Sequence, residues 1–257
     1  MNFAPTEKNW PEIFARAGSG RDERVVLDGL HALKHAVRFG AEPELILTPN
    51  REKLSALAQE MGLEELRSLL EKSAREVERE VFDSLARRPI PTGVIALARR
   101  PRSKRPESWE ANAPAVFLDQ PRDVNNIGAA VRVAAACGAA GLAVSAAASP
   151  WHRRAVAAGA GLQFALPTAT VEAENLREVF APRPIIACDE RGRDLREIDL
   201  PRNALFVFGS ERVGISSAVR EAAAEVISLP MRRGVSSLNL ATAVSAVLYL
   251  SLVLSRE

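Results

Sequence analysis

"AVFLDQPRDVNNIGAAVRVAAACGAAGLAVS" (115–145) reads as strand, polar loop, helix, strand. "AVFLD" (115–119) and "LAVS" (142–145) are apolar runs without alternation, as expected of strands covered on both faces. Between them, "NIGAAVRVAAACGAAG" (126–141) is built of small residues and ends on glycine, a helix that can lie close against its neighbours. Asn125 or Asn126 is placed to cap it, with Ile127 as its first residue. A strand–helix–strand unit of this kind predicts parallel pairing.

The same alternation continues downstream. "HRRAVAAGAG" (152–161), "ENLREVF" (174–180) and "ISSAVREAAAE" (215–225) read as helices. "PIIACD" (184–189), "ALFVFG" (204–209) and "VISLP" (226–230) read as strands, and an apolar helix closes the chain. The fold class is therefore α/β: a mostly parallel C-terminal sheet with helices on both faces. Upstream, "RRPRSKRPESWEANAP" (99–114) has three prolines, many charges and no apolar period, and reads as a linker. Before it lies a small α/β module over 24–98. A strand and amphipathic helix fill "ERVVLDGLHALKHAVRFG" (23–40), "ELILTP" (44–49) and "TGVIALAR" (92–99) are strands, and 50–86 is charged and helical. Residues 1–23 read as an N-terminal arm.

The chain has 257 residues and is 47% hydrophobic, enough for packed cores in one large or two modest domains. Its net charge is +2, so it is no strongly basic polyanion binder as a whole. The basic residues cluster locally, however, at "ARRPRSKR" (98–105), "HRR" (152–154) and "MRR" (231–233). The two cysteines, Cys137 and Cys188, lie in apolar runs without metal-binding spacing. They read as buried, reduced thiols of a cytoplasmic protein without a metal. The first residues lack the pattern of a signal peptide, and the last helix is broken by Asn239, Thr242, Ser245 and Ser251, so no membrane anchor is expected.

Ligands of parallel α/β sheets bind beyond the carboxyl ends of strands. Three polar loops are expected there: "DQPRDVNNIGAAVR" (119–132), "FGSERVGIS" (208–216) and "PMRRGVSSLN" (230–239). In the first, Arg132 is the one charge on an otherwise apolar helix, aimed at a phosphate or snorkelling to water. In the second, Gly209 permits close backbone approach by a flat ligand, and Glu211 is placed either to pair with an arginine or to favour the next helix's N-terminus. In the third, Ser236 or Ser237 is expected to cap the last helix, with Asn239 in its first turn and Arg232 and Arg233 just before. The spacing of 208–216 does not fit a phosphate-cradling G-x-x-x-x-G-K-[ST] loop. "GAGLQF" (159–164) breaks the dinucleotide fingerprint, which disfavours a nicotinamide enzyme.

Taken together and in order, "NNIGAAVR", "FVFGSERVGIS" and "ISLPMRRGVSSLNLATA" resemble the three motifs of the SpoU (TrmH) branch of the SPOUT RNA methyltransferases. The resemblance covers roughly 115–257, and 24–98 is similar to the ribosomal-protein-like substrate-binding module that precedes the catalytic domain in many members. It implies a trefoil knot near the C-terminus, a homodimer with the last helix at its seam, and S-adenosylmethionine held by Gly209, Leu229 and Leu238. It implies methyl transfer to a ribose 2′-hydroxyl of structured RNA at a site containing Asn126, Arg132, Glu211, Ser237 and Asn239. Large-subunit ribosomal RNA is the expected target. The alternatives are transfer RNA, or a catalytically silent RNA-binding relative. Many members carry an Arg-Ala-Ser-like stretch before the glycine matching Gly161; here it reads "AAGAG". Arg153 and Arg154 are expected to supply that charge, and Arg232 and Arg233 to contact RNA as well. Ser210 stands where an asparagine often precedes the glutamate.

Overall fold

A computed structural model describes residues 7–145, 149–235 and 237–254. The chain divides into two compact units, one formed by residues up to Pro101 together with Trp151–Ala165, the other by Arg102–Pro150 and the residues from Leu166 on.

In the first unit, α1 (Trp10–Gly18) leads into β1 (Arg24–Asp28), α2 (Leu30–Arg38), β2 (Pro43–Thr48), α3 (Arg51–Glu60), α4 (Glu64–Ser73), β3 (Ala74–Glu76), α5 (Arg79–Ala86) and β4 (Ile95–Arg99). The four strands form one sheet in the order β1-β4-β2-β3, with β4 antiparallel to both neighbours and β3 parallel to β2. One face is covered by Trp10, Phe14, Ala17, Phe82 and Leu85, the other by Leu30, Leu33, Leu54, Leu66 and Leu70. The expected N-terminal arm is thus corrected. Trp10, Phe14 and Ala17 stand at i, i+4 and i+7, one stripe of a helix, and are essentially buried. Residues 1–6 of that arm lie outside the described residues. The charged stretch 50–86 is three helices interrupted by β3.

The same unit recruits residues 151–165 from far along the chain, with the short helix Arg153–Ala158 (α7 by its place in the chain). Gly161, at φ +76, lies against α2, where a Cβ would sit 2.3 Å from the Ala32 carbonyl oxygen. His35 Nδ1 is 2.8 Å from the Ala160 carbonyl, so its N–H donates there. Burial lowers the pKa of His35 below its ordinary 6.5, against that hydrogen bond and helped by Lys34, His31 and Arg38. His152 is lowered too, by burial and then by Arg154. A histidine depressed in the folded state contributes stability fully above its unfolded pKa and loses it as pH falls through the folded value. The unfolding midpoint is therefore expected to fall between about pH 7.5 and 5.5. His35→Gln, whose amide still donates to Ala160, should flatten that dependence; a midpoint rising on acidification would contradict this.

The second unit contains β5 (Ala115–Leu118), α6 (Val124–Ala136), β6 (Gly141–Val144), β7 (Thr168–Thr170), α8 (Leu176–Phe180), β8 (Ile185–Asp194), β9 (Leu205–Phe208), α9 (Ser217–Ala222), β10 (Glu225–Ser228) and α10 (Leu240–Leu254). Its sheet runs β10-β8-β9-β5-β6-β7, and every pairing is parallel. The residues of β5, β6 and β9 are all buried, because α6 and α10 cover one face and α8 and α9 the other. The stretch expected as a linker is only in part a connection. From Arg102 it joins this unit, where Trp109 is buried edge-on against Phe180, 5.7 Å between centroids. Gly141 admits that indole, since a Cβ there would lie 2.5 Å from the ring.

Candidate active site

Chain order places β5, β6 and β7 outward in one direction and β8, β9 and β10 on the other side of β5. The direction reverses between β5 and β9, and ligands of open parallel sheets bind at such a reversal. Two carboxylates fasten the loops across it. Asp119, at the end of β5, is buried, and its Oδ2 accepts from the Ser216 backbone N–H at 2.6 Å; Ser216 in turn caps α9. The other carboxylate oxygen of Asp119 is buried with no hydrogen-bond partner among the described residues. Glu211, from the loop after β9, accepts from the Asn126 side-chain amide. Asn126 Oδ1 accepts from Asn239 Nδ2 at 3.0 Å, and Asn239 Oδ1 accepts from the backbone N–H groups of Ala241 and Thr242. A chain of hydrogen bonds thus joins all three predicted loops.

This assigns the caps differently from the sequence. Helix α6 starts at Val124 and is capped by Asp123, which accepts from the Asn125 N–H at 2.9 Å, so neither Asn125 nor Asn126 caps it. Asn239, rather than a serine, caps α10. Ser236 lies outside the described residues. Asn239 therefore serves the helix and the loop network at once.

A cavity of about 490 Å3 opens beside this network. It lies within the roughly 300–1,000 Å3 range of small-molecule sites. Gly209, Leu229, Leu238, Glu211 and Ser237 all line it. Phe208, Met231, Leu240 and Ala243 give it apolar wall. Gly209 is also needed for a reason beyond the expected one. Its closest neighbour is its own chain: a Cβ would lie 2.1 Å from the Gly214 carbonyl carbon and 2.3 Å from the Ile215 nitrogen. Ser210 and Gly214 exchange backbone hydrogen bonds, and Ser210 Oγ accepts from the Val213 N–H, which closes 209–214 into a tight turn.

A fourth wall was not singled out in the sequence. Pairing of β10 with β8 jumps from Ala187 to Arg193 while β10 advances one residue, from Val226 to Ile227. The intervening residues bow out, and Cys188, Asp189, Glu190 and Arg191 line the cavity. Gly192 lets the strand return, since a Cβ there would meet the Ile227 carbonyl carbon at 2.4 Å. Asp189 is held by Arg220 at 3.0 Å and by the Arg191 N–H. Burial, then Asp189, pushes the Cys188 thiol up to about 11, so it stays a neutral thiol at neutral pH. The signal available was the charged run "DERGRD" (189–194) directly after an expected strand.

The remaining expected residues fall outside the cavity lining. Arg132 is exposed on α6, and Arg232 and Arg233 are exposed in the loop before α10. Arg154 is exposed on α7. Arg153 is corrected: it is buried in the first unit, where its guanidinium takes both oxygens of Asp28 and donates to the Leu85 carbonyl. Among the described residues no cluster of His, Cys, Asp and Glu is placed to hold a metal, and no helix is long and apolar enough to cross a membrane.

A parallel sheet with strand-end loops tied around one cavity defines a ligand-binding α/β domain. Residues 113–249 match the SpoU rRNA Methylase family, and the chain belongs to that family. It is 34% identical over 144 residues to the 23S rRNA (uridine(2479)-2′-O)-methyltransferase of Streptomyces viridochromogenes, a match spanning 52% of this chain and 50% of that protein. It is 27% identical over 245 residues to the 23S rRNA (guanosine-2′-O-)-methyltransferase RlmB of Acinetobacter baylyi, covering 86% of this chain and 94% of that one. The crystal structure of the SpoU methyltransferase AviRb from Streptomyces viridochromogenes, in complex with the cofactor AdoMet, superposes with a TM-score of 0.76 at 25% identity, over 96% of each chain.

Proposed function

We propose that this protein transfers a methyl group from S-adenosylmethionine to a ribose 2′-hydroxyl in structured RNA, with large-subunit ribosomal RNA as the target. The observation that carries the reading is the Glu211–Asn126–Asn239 chain beside a cavity lined by Gly209, Leu229 and Leu238. Family membership and relatives that modify 23S rRNA support it.

The residues present fit the cofactor. Phe208, Leu229, Met231 and Leu238 suit an adenine ring, and Asp189 and Glu190 offer acceptors to ribose hydroxyls or an amine. The cofactor supplies an electrophilic methyl on a sulfonium. Positioning of the attacking oxygen then provides much of the rate. Asn126 fixes the three loops in one register, with Glu211 and Asn239 as its anchors. Arg132 is assigned to clamp the phosphate beside the target ribose and to stabilise developing negative charge, since a guanidinium stays protonated and is a poor base. Ser237 lines the entrance.

The finer expectations belong to the same proposal. The first unit binds the RNA. The chain is threaded as a trefoil knot and acts in the cytoplasm, without a metal, as a homodimer. The dimer seam is supported by Tyr249, Leu250, Leu252 and Val253, exposed on the last turns of α10.

Mapping 2′-O-methyl sites in total RNA with and without the gene tests the activity, and an unchanged map would defeat it. Calorimetric titration with S-adenosylmethionine tests the cavity. In that titration Gly209→Ala is expected to weaken binding by about 5- to 150-fold. Its Cβ forces the 209–214 turn open, and overpacking of that kind costs about 1–3 kcal/mol. Wild-type affinity in Gly209→Ala would mean that the turn does not shape the cofactor site.

A further inference from the structure

The arginines of the second unit fall into two groups. Arg183 donates to the carbonyls of Ala113 and Asn203, Arg193 pairs with Glu225, and Arg220 pairs with Asp189. In contrast, Arg122 and Arg212 are exposed and make no hydrogen bond or ion pair among the described residues. Arg122 follows β5, and Arg212 follows β9, its parallel neighbour. Both therefore stand at the carboxyl edge of the sheet, where the cavity opens. Their loops are pinned to each other by the Asp119–Ser216 and Asn126–Glu211 bonds. Arg212 itself lines the cavity mouth. Glu211, the carboxylate next to it in the chain, is engaged by Asn126 and is not spent on a guanidinium.

Uncompensated like charges on loops held close together repel, and an external polyanion relieves that repulsion. Arginine also matches phosphate geometrically, through paired donors in a fixed fork. We propose that Arg122 and Arg212 form a phosphate-binding pair at the cavity rim that grips the RNA backbone on either side of the nucleotide presented for methylation. This rests on the methyltransferase reading above and extends it to two residues outside the expected set. It also moves the substrate-gripping charge to the strand ends of the second unit, away from the buried Arg153.

Arg202 provides the internal control. It too is exposed and makes no such contact among the described residues, but it precedes β9 and so lies at the opposite edge of the sheet. Binding of the full chain to protein-free 23S ribosomal RNA is to be measured by fluorescence anisotropy across a salt series. Each phosphate contact contributes about 0.7–0.9 to the slope of log K against log salt. Arg122→Ala and Arg212→Ala should each lower that slope by about this amount, the double variant by about twice as much, and Arg202→Ala not at all. Arg122→Ala should also keep wild-type affinity for S-adenosylmethionine, which shows that its site is intact. If the wild type binds the RNA but both variants keep its slope, or Arg202→Ala lowers it equally, the pair is refuted and the methyltransferase reading stands. If the wild type binds no RNA at any salt, both fall.

Discussion

Arg153→Ala lowers the stability of the protein by about 3–5 kcal/mol, the cost of breaking a buried ion pair from one side. Asp28 is the reason: its side chain is 2% exposed and receives Nε and Nη2 of Arg153 at 2.6–3.1 Å. With Arg153 gone, the nearest cation is the exposed Arg88, 3.6 Å away, and the Leu85 carbonyl loses its 2.8 Å donor. The carboxylate is left almost dry and poorly paired. Arg153→Lys should not rescue it fully, because an ammonium lacks the fork that takes both oxygens. The double replacement Asp28→Asn with Arg153→Met removes both charges together and should recover part of the loss. Urea unfolding reads all of these. An Arg153→Ala midpoint equal to wild type would return Arg153 to the surface role expected from the sequence.

That expectation failed for a physical reason. "HRR" (152–154) has the look of a solvated cluster, and the partner of Arg153 lies 125 residues earlier in the chain, beyond any local pattern. The same limit applies to residues 1–23. The stripe of Trp10, Phe14 and Ala17 was present, but the polar composition of the stretch, with Gly18 and Gly20, read as an arm. Pro11 stands in the first turn, where a missing N–H costs nothing. Strand β7 has three residues, Thr-Ala-Thr, and no apolar run to announce it; its place comes from pairing with β6.

By contrast, the alternation over 115–145 placed β5, α6 and β6 to within a few residues, because a sheet covered on both faces demands unbroken apolar strands. The three site loops were legible for the same reason: parallel strands put their polar continuations at one edge. What could not be read was how those loops hold together. Asn126 looked like a capping residue, and Asn239 like a first-turn residue behind a serine cap. Only the fold brings them to 3.0 Å from one another and gives the cap of α10 to Asn239. The excursion 188–192 was hidden by its own composition, since a charged run after a strand reads as an ordinary surface loop until the register jump against β10 is seen.

The second large effect concerns Arg132. On the proposed mechanism, Arg132→Ala lowers turnover by about 10²–10³-fold, the range for removing one donor to developing negative charge. The affinity for S-adenosylmethionine should stay near wild type, because Arg132 stands on the exposed side of α6 and does not line the cavity. The pH dependence separates two roles for it. A guanidinium acting as base would have to lose a proton it effectively always keeps. Arg132→Ala would then abolish the rising limb of the rate against pH. A guanidinium acting through its charge leaves that limb in place, with its midpoint unmoved and its height reduced. Arg132→Lys retains the charge without the two-pronged grip, so its turnover should fall between those of the wild type and Arg132→Ala. Full turnover in Arg132→Ala would remove the residue from the reaction and leave the Asn126 network as the part of the first loop on which the chemistry depends.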